Sequence, residues 1–271
     1  MNFEQLPLLF DTIQQGEPKS DVKPALVPEE EFEAYNRINR SDVPTVNDIL
    51  KLMEKASYKV SAHEFLSDVF ECGAIAISNR FDFAHAGKRE EQYLATMKKH
   101  KHDVRELIAE VFGKIFALLT MAQNPSIGFN DYLGELYMRS ETSNSRAGQF
   151  FTPYCVSKLS AEVTIDEKQI MKAIENDEII TMNEPACGSG GMMIAAADIL
   201  YNKYRFNISR NLFVECSDID SRCVHMAFLQ LGLAGIPAVI YKRDTLSMQT
   251  WERWETPAYI MQRYRFKNCL K

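Results

Sequence analysis

The chain has 271 residues, 46 % of them hydrophobic and 25 % charged, with a formal net charge of −6. This describes an ordinary soluble globular protein of one large domain or two small ones, long enough for a substantial core. The acidic balance speaks against a binder that lays its whole surface on nucleic acid, and leaves room only for a local basic groove. No apolar run reaches the roughly eighteen residues of a membrane span. The first residues, MNFEQLPLLF, lack the basic start and apolar core of a signal peptide. The six cysteines are scattered with no CxxC pair, which predicts buried thiols in a reducing cytoplasm and no metal site.

Residues 1–43 are polar and proline-bearing and show no sustained period, so they are expected to form an extension or arm. A helical unit is expected over 44–145. The Pro44-Thr45-Val46-Asn47 neighbourhood offers a cap for a helix through Ile49, Leu50, Leu52 and Met53, and a second helix is expected from Ala62 to Ser78. Within His102 to Met121, the residues Leu107, Ile108, Val111, Phe112, Ile115, Phe116 and Leu119 form one broad apolar stripe, the mark of a packed helix. Another helix is expected around Asn130 to Tyr137. The basic cluster Lys98-Lys99-His100-Lys101-His102 reads as a solvated helix face.

From about Ile179 the pattern changes. EIITMNEP, NLFVECSDI and AVIYKRDT are β-favouring runs separated by the helical runs MMIAAADILYNKY and SRCVHMAFLQLGLAG. Strand and helix in alternation predict a parallel α/β sheet. The tail Arg263-Tyr264-Arg265-Phe266-Lys267 interleaves aromatics with bases. That pattern suits either nucleic-acid stacking or a segment tied to its own domain.

NEPACGSGGMM, between the first strand and its helix, is the focus of the chemistry. Ligands of such sheets sit beyond the carboxyl ends of the strands, and glycines there let backbone approach a guest. The following helix offers free N–H groups that could hold phosphate. The lysine and hydroxyl of a Walker loop are absent, however, and GSGGMM puts methionine where a dinucleotide fingerprint ends in glycine. Asp218 follows the second strand, roughly thirty residues on, placed to hold a ribose hydroxyl pair. Asp244 closes the third strand and could accept from an exocyclic amine. Acids after strands also cap helices, so their shared edge carries more weight than either acid alone.

AGQFFTPYCVSKLSAEV followed by NEPACGSGGMM resembles the motifs of S-adenosylmethionine-dependent N6-adenine DNA methyltransferases, in particular modification subunits of type I restriction systems. Those show GQFFTP, then DPACGSGG, then an acid after each of strands two and three. DYLGELY is similar to the family's helical lead-in, and the match spans roughly 44–250. The resemblance implies a helical N-terminal unit followed, over 146–271, by a Rossmann-like methyltransferase sheet that is incomplete at its C-terminal side. It implies S-adenosylmethionine as cofactor and double-stranded DNA as substrate. Gln149, Phe150, Phe151, Thr152, Pro153 and Tyr154 would form a lid at the methionine end. Without the resemblance, Phe150 and Phe151 are ordinary core aromatics. Gly188, Ser189 and Gly190 would pass beside the cofactor. Glu184 replaces the family's aspartate, Asp218 would hold the ribose, and Asp244 would hold the adenine amine.

The family's transfer motif, [DN]PP[YF], does not occur in this sequence. The nearest segment is Thr256-Pro257-Ala258-Tyr259, which makes Thr256, Pro257 and Tyr259 weak catalytic candidates. The alternative for this segment is a loop covering the pocket, and the preceding QTWERWE suits a helix or surface segment. A sheet cut after the third strand would leave its first strand with an open edge, to be covered by the C-terminal segment or by another chain, which predicts a homo-oligomer or a partner subunit. The expected function is an adenine-specific DNA methyltransferase. The alternative is a catalytically deficient cofactor-binding regulatory or partner subunit. A nucleotide enzyme on the same sheet, or methylation of RNA or protein, stays open because fold does not fix substrate.

Overall fold

The computed structural model describes residues 25–29, 40–56, 59–124, 127–140 and 151–270. Among the described residues, five α-helices make up the first half: α1 (Val46–Met53), α2 (Ala62–Ser78), α3 (Ala86–Lys98), α4 (His102–Thr120) and α5 (Tyr132–Ser140). Local chemistry explains their starts. Thr45 caps α1 in a reciprocal box with Asp48, and Ser61 accepts the Glu64 amide to begin α2. The apolar stripe of α4 is buried at Leu107, Ile108, Val111, Ile115 and Leu119.

Helices α6 (Tyr154–Thr164) and α7 (Glu167–Asn176) lead into the sheet. Its order is β1 (Ile180–Glu184), β2 (Leu212–Asp218), β3 (Ala238–Asp244) and β4 (Gln249–Glu255). Helix α8 (Gly191–Tyr204) and the short α9 (Ile208–Asn211) join β1 to β2, and α10 (Ser221–Leu233) joins β2 to β3. The first three strands are parallel, and β4 returns antiparallel along β3. The chain is therefore a mixed α/β protein with a helical N-terminal unit and a mostly parallel sheet.

Both units share one core. A continuous buried cluster includes Ile49, Phe65, Val111, Leu136, Val214, Phe228 and Trp254. Arg89 of α3 ties the units together at one side. It lies 4.1 Å over the Trp254 ring and donates to the Arg253 carbonyl at 2.9 Å, while Asp82 balances its charge. The segment expected as a solvated extension is partly packed. Leu26 bridges Phe206, and Ala25 and Val27 are buried. In the Lys98–His102 cluster, His100 is also buried, against the Asp68 carboxylate at 2.6 Å, so the cluster is not wholly a solvated face.

QTWERWE forms an edge strand, not a helix. Residues three apart fall on opposite faces of a strand. Trp254 accordingly packs on Phe228 while Trp251 is exposed. Helices α11 (Pro257–Met261) and α12 (Arg263–Phe266) then cover one face of the sheet. There Phe266 stacks on Phe213, and Arg265 donates to the Arg210 carbonyl and to Asp177. The basic-aromatic tail is thus largely tied to its own domain, with Tyr264 exposed. Among the described residues β1 pairs only with β2, leaving its outer edge open. No described helix is long and apolar enough to cross a membrane.

Candidate functional site

The carboxyl ends of β1 and β2 open onto a cavity of about 490 Å³. The glycine turn forms its floor, Thr152 and Phe151 stand at one wall together with α6, and Asp218 and Cys223 stand at another. Sequence positions that are far apart meet here for a structural reason. Parallel strands end at one edge, and the turn between β1 and α8 must cross that edge.

Gly188 shows why the turn needs glycine. Its φ is +53°, in the left-handed region, and an added Cβ would lie 2.9 Å from the Phe151 ring. Its amide donates to Asp218 Oδ2 at 2.9 Å, while Asp218 Oδ1 accepts from the Asp220 amide at 2.9 Å. Asp218 is therefore fixed on the turn and lines the cavity with one face. Phe151 packs edge-on against Tyr137 at 5.5 Å between centroids, so it is at once a core aromatic and a cavity wall.

Phe151, Thr152, Glu184, Gly188, Ser189 and Asp218 of the expected residues line the cavity. Gly190 is the N-cap of α8 with φ 90°, and it faces Ala227 of α10 rather than the cavity. Pro153 starts α6 and stands outside. Tyr154 is turned away, its hydroxyl donating to Asp198 at 2.9 Å. Burial, and then the neighbouring Asp198, push that phenol well above its usual range. Gln149 and Phe150 lie outside the described residues.

Asp244 is at the expected strand end but does not line the cavity. Its carboxylate is used by the β3–β4 turn, accepting from Ser247 Oγ at 2.8 Å and from the Leu246 amide at 3.0 Å. The Ser247 hydroxyl, above all, lowers its pKa.

Thr256, Pro257 and Tyr259 are placed at the opposite end of the sheet. Thr256 Oγ1 accepts from the Ala238 amide and donates to the Ile236 carbonyl, both at 2.8 Å. Ala238 is the first residue of β3, so this segment sits about 20 Å from the strand ends that form the cavity. Pro257 begins α11, and Tyr259 is buried on Phe213. These residues hold the amino end of β3. They neither reach the cavity nor cover it.

Two buried polar residues of the cavity were not singled out in the sequence. Asp131, 5 % exposed, accepts from Ser189 Oγ at 2.6 Å. Burial raises its pKa, opposed by its hydrogen bonds to Ser189, Gln230 and Gly134. The cap pattern of an acid three residues before Gly134 was a local signal, but its reach to Ser189 was not. Ser157 of α6 is the second residue. It is 1 % exposed, lines the cavity, and its Oγ has no hydrogen-bond partner among the described residues.

The lining is also distinctive in charge. Among the described residues it contains Asp131, Glu184 and Asp218 and no lysine, arginine or histidine. Among the described residues no group of three or more His, Cys, Asp or Glu is placed to hold a metal ion.

The sequence model of one family, described as N-6 DNA Methylase, matches residues 130–268, just over half of the chain. The chain belongs to the N-6 DNA methylase family. The match begins at the Asn130-Asp131 start of α5 and takes in the glycine turn, both strand-end acids and the β4 return. No curated protein matches. Among solved structures, the methyltransferase subunit of a type I restriction-modification system from Streptococcus thermophilus is similar. The identity is 15 %, the TM-score 0.36, with 71 % of this chain and 56 % of that one covered. This methylase-family chain thus spans little more than half the length of that subunit.

Proposed function

We propose that the cavity binds S-adenosylmethionine and that the chain serves methyl transfer to adenine N6 in double-stranded DNA. The observation that carries this is the Asp218–Gly188 contact, which sets a strand-end carboxylate and a glycine backbone side by side on one cavity of about 490 Å³. When bound, the cofactor supplies an electrophilic methyl group on a sulfonium.

The residues present fit such a guest. Ser157 offers a buried hydroxyl lacking a partner among the described residues. Gly188, with no Cβ, lets the turn lie directly against the Phe151 wall of the cavity. A lining that among the described residues holds three acids and no base disfavours the phosphates of ATP or NAD and suits a ligand carrying a sulfonium and an ammonium. In this proposal Asp218 holds the ribose, Thr152 and Phe151 bound the methionine end, and Glu184 lies beside the turn. Pro153, Tyr154 and Asp244 keep the roles the family resemblance gives them only if a bound ligand draws them in, while Gln149 and Phe150, outside the described residues, keep theirs as the resemblance gives them.

A second reading, a cofactor-binding partner subunit without transfer, is favoured by one observation. Thr256-Pro257-Ala258-Tyr259 sits at the wrong end of the sheet. A homo-oligomer or partner chain at the open β1 edge belongs to either reading. Gel filtration tests it.

Incubation with S-adenosylmethionine labelled in the methyl group and an adenine-containing duplex tests the proposal. N6-methyladenine in the duplex is the expected product. Cofactor binding with no incorporation supports the second reading, and neither binding nor incorporation overturns both.

A further inference from the structure

Asp131 belongs to the start of α5, yet three elements meet on its carboxylate. Oδ1 accepts from the Gly134 amide at 2.9 Å and from Gln230 Nε2 at 2.8 Å, and Oδ2 accepts from Ser189 Oγ at 2.6 Å. Gln230, in α10, returns to the same turn by donating to the Ser189 carbonyl at 2.7 Å, while its Oε1 accepts from the Leu133 amide at 3.2 Å. Ser189 is therefore held at both its hydroxyl and its carbonyl. The fit is tight: a Cβ on Gly191 would lie 2.7 Å from Asp131 Oδ2. Gly191 thus makes room for an aspartate of the helical unit. All three side chains are buried, and within the group no proton donor lacks an acceptor.

We infer that Asp131, with Gln230, is the positioning residue of the glycine turn, so that the helical unit sets the shape of the ligand cavity. Asp131 acts through Ser189. A buried hydrogen bond of this kind is worth about a factor of ten in an equilibrium constant. Its loss would let the turn leave the geometry in which Gly188 meets Asp218. The cofactor arm of the test rests on the function proposed above; the exchange arm does not.

The variants are Ser189→Ala, Asp131→Asn and the double. Asparagine keeps an acceptor for Gly134 and Gln230 but turns an N–H₂ group toward Ser189. Amide hydrogen exchange of the ligand-free chain reads the turn directly, because the Gly188 and Gly190 amides are bonded to Asp218 and to the Cys187 carbonyl. Each single variant is expected to speed exchange at these two amides about tenfold, while Val214 and Ile240 in the sheet keep wild-type protection. Calorimetry is expected to show S-adenosylmethionine binding about tenfold weaker in each single variant. The double should be no weaker than the worse single, since both changes cut one bond.

Unchanged exchange at Gly188 and Gly190 in both variants overturns the inference. So do losses that multiply in the double, or faster exchange spread evenly over the sheet, which marks a merely structural role. If Asp131→Asn fails to fold, Ser189→Ala carries the exchange arm alone. If the wild-type chain binds no S-adenosylmethionine, the proposed function fails, and the exchange result still decides the role of Asp131.

Discussion

Asp218 accepts the Gly188 amide proton at 2.9 Å, so the acid that ends β2 and the turn that ends β1 are one structural unit. Asp218→Ala removes both the ligand-facing carboxylate and the anchor of the turn. We expect S-adenosylmethionine affinity to fall at least about tenfold, the value of one lost charge-assisted bond. Calorimetry checks it, and unaltered affinity would clear Asp218 of contact with the ligand.

Gly188→Ala is expected to hurt twice. A non-glycine residue at φ +53° is strained, and the new Cβ meets Phe151. The strain costs about 1–2 kcal/mol of stability, and displacement of the ring reshapes the cavity wall. Gly87→Ala is the control: it lies in α3 with nothing within 4 Å of the added Cβ. There alanine is expected to be neutral or to stabilise by up to about 1 kcal/mol. Urea unfolding of the two variants separates local strain from a general intolerance of alanine.

Thr256 and Tyr259 are expected to behave as structural residues. Thr256→Val leaves the Ala238 amide and the Ile236 carbonyl without their partner, at about 1–3 kcal/mol. Tyr259→Ala empties the space against Phe213 and Phe266, at about 3–5 kcal/mol. Neither change should move cofactor affinity in the molecules that stay folded. A variant of normal stability with a tenfold loss of binding would return this segment to the site.

His225 gives a pH dependence. It is 6 % exposed, packed edge-on to Trp254, and burial lowers its pKa to about 4. The folded chain therefore binds this proton less well than the unfolded chain. The stability from neutral His225 is complete above the unfolded pKa near 6.5 and is lost as pH falls from there toward 4. The loss reaches about 2 kcal/mol by pH 5. Urea unfolding of wild type and His225→Gln at pH 7 and pH 5 measures it, with a smaller drop expected in the variant. Equal drops would show that His225 takes no part.

Much of this was legible in local sequence. The stripe of α4, the cap ahead of α1 and the β-favouring runs report on neighbours one turn or one residue away, and each element formed where its pattern lies. The shared edge of Gly188 and Asp218 was also readable, because alternating strands and helices leave only one place for strand-end residues. Asp131 was not, since its partners Ser189 and Gln230 come from separate elements that only packing brings together. Asp244 kept its strand-end position but spends its carboxylate on a turn whose need for a cap depends on the antiparallel return of β4. That return was hidden in QTWERWE, where only one of two tryptophans faces the core and no clean alternation survives.

The central claim is that the cavity between the glycine turn, Asp218 and α6 holds an adenosyl sulfonium. Isothermal titration of the wild-type chain with S-adenosylmethionine, and separately with ATP and NAD, tests it most directly. Saturable one-to-one binding of S-adenosylmethionine, with no heat from the two phosphate-bearing ligands, is the predicted result. Absence of S-adenosylmethionine binding, or tighter binding of ATP or NAD, would contradict it.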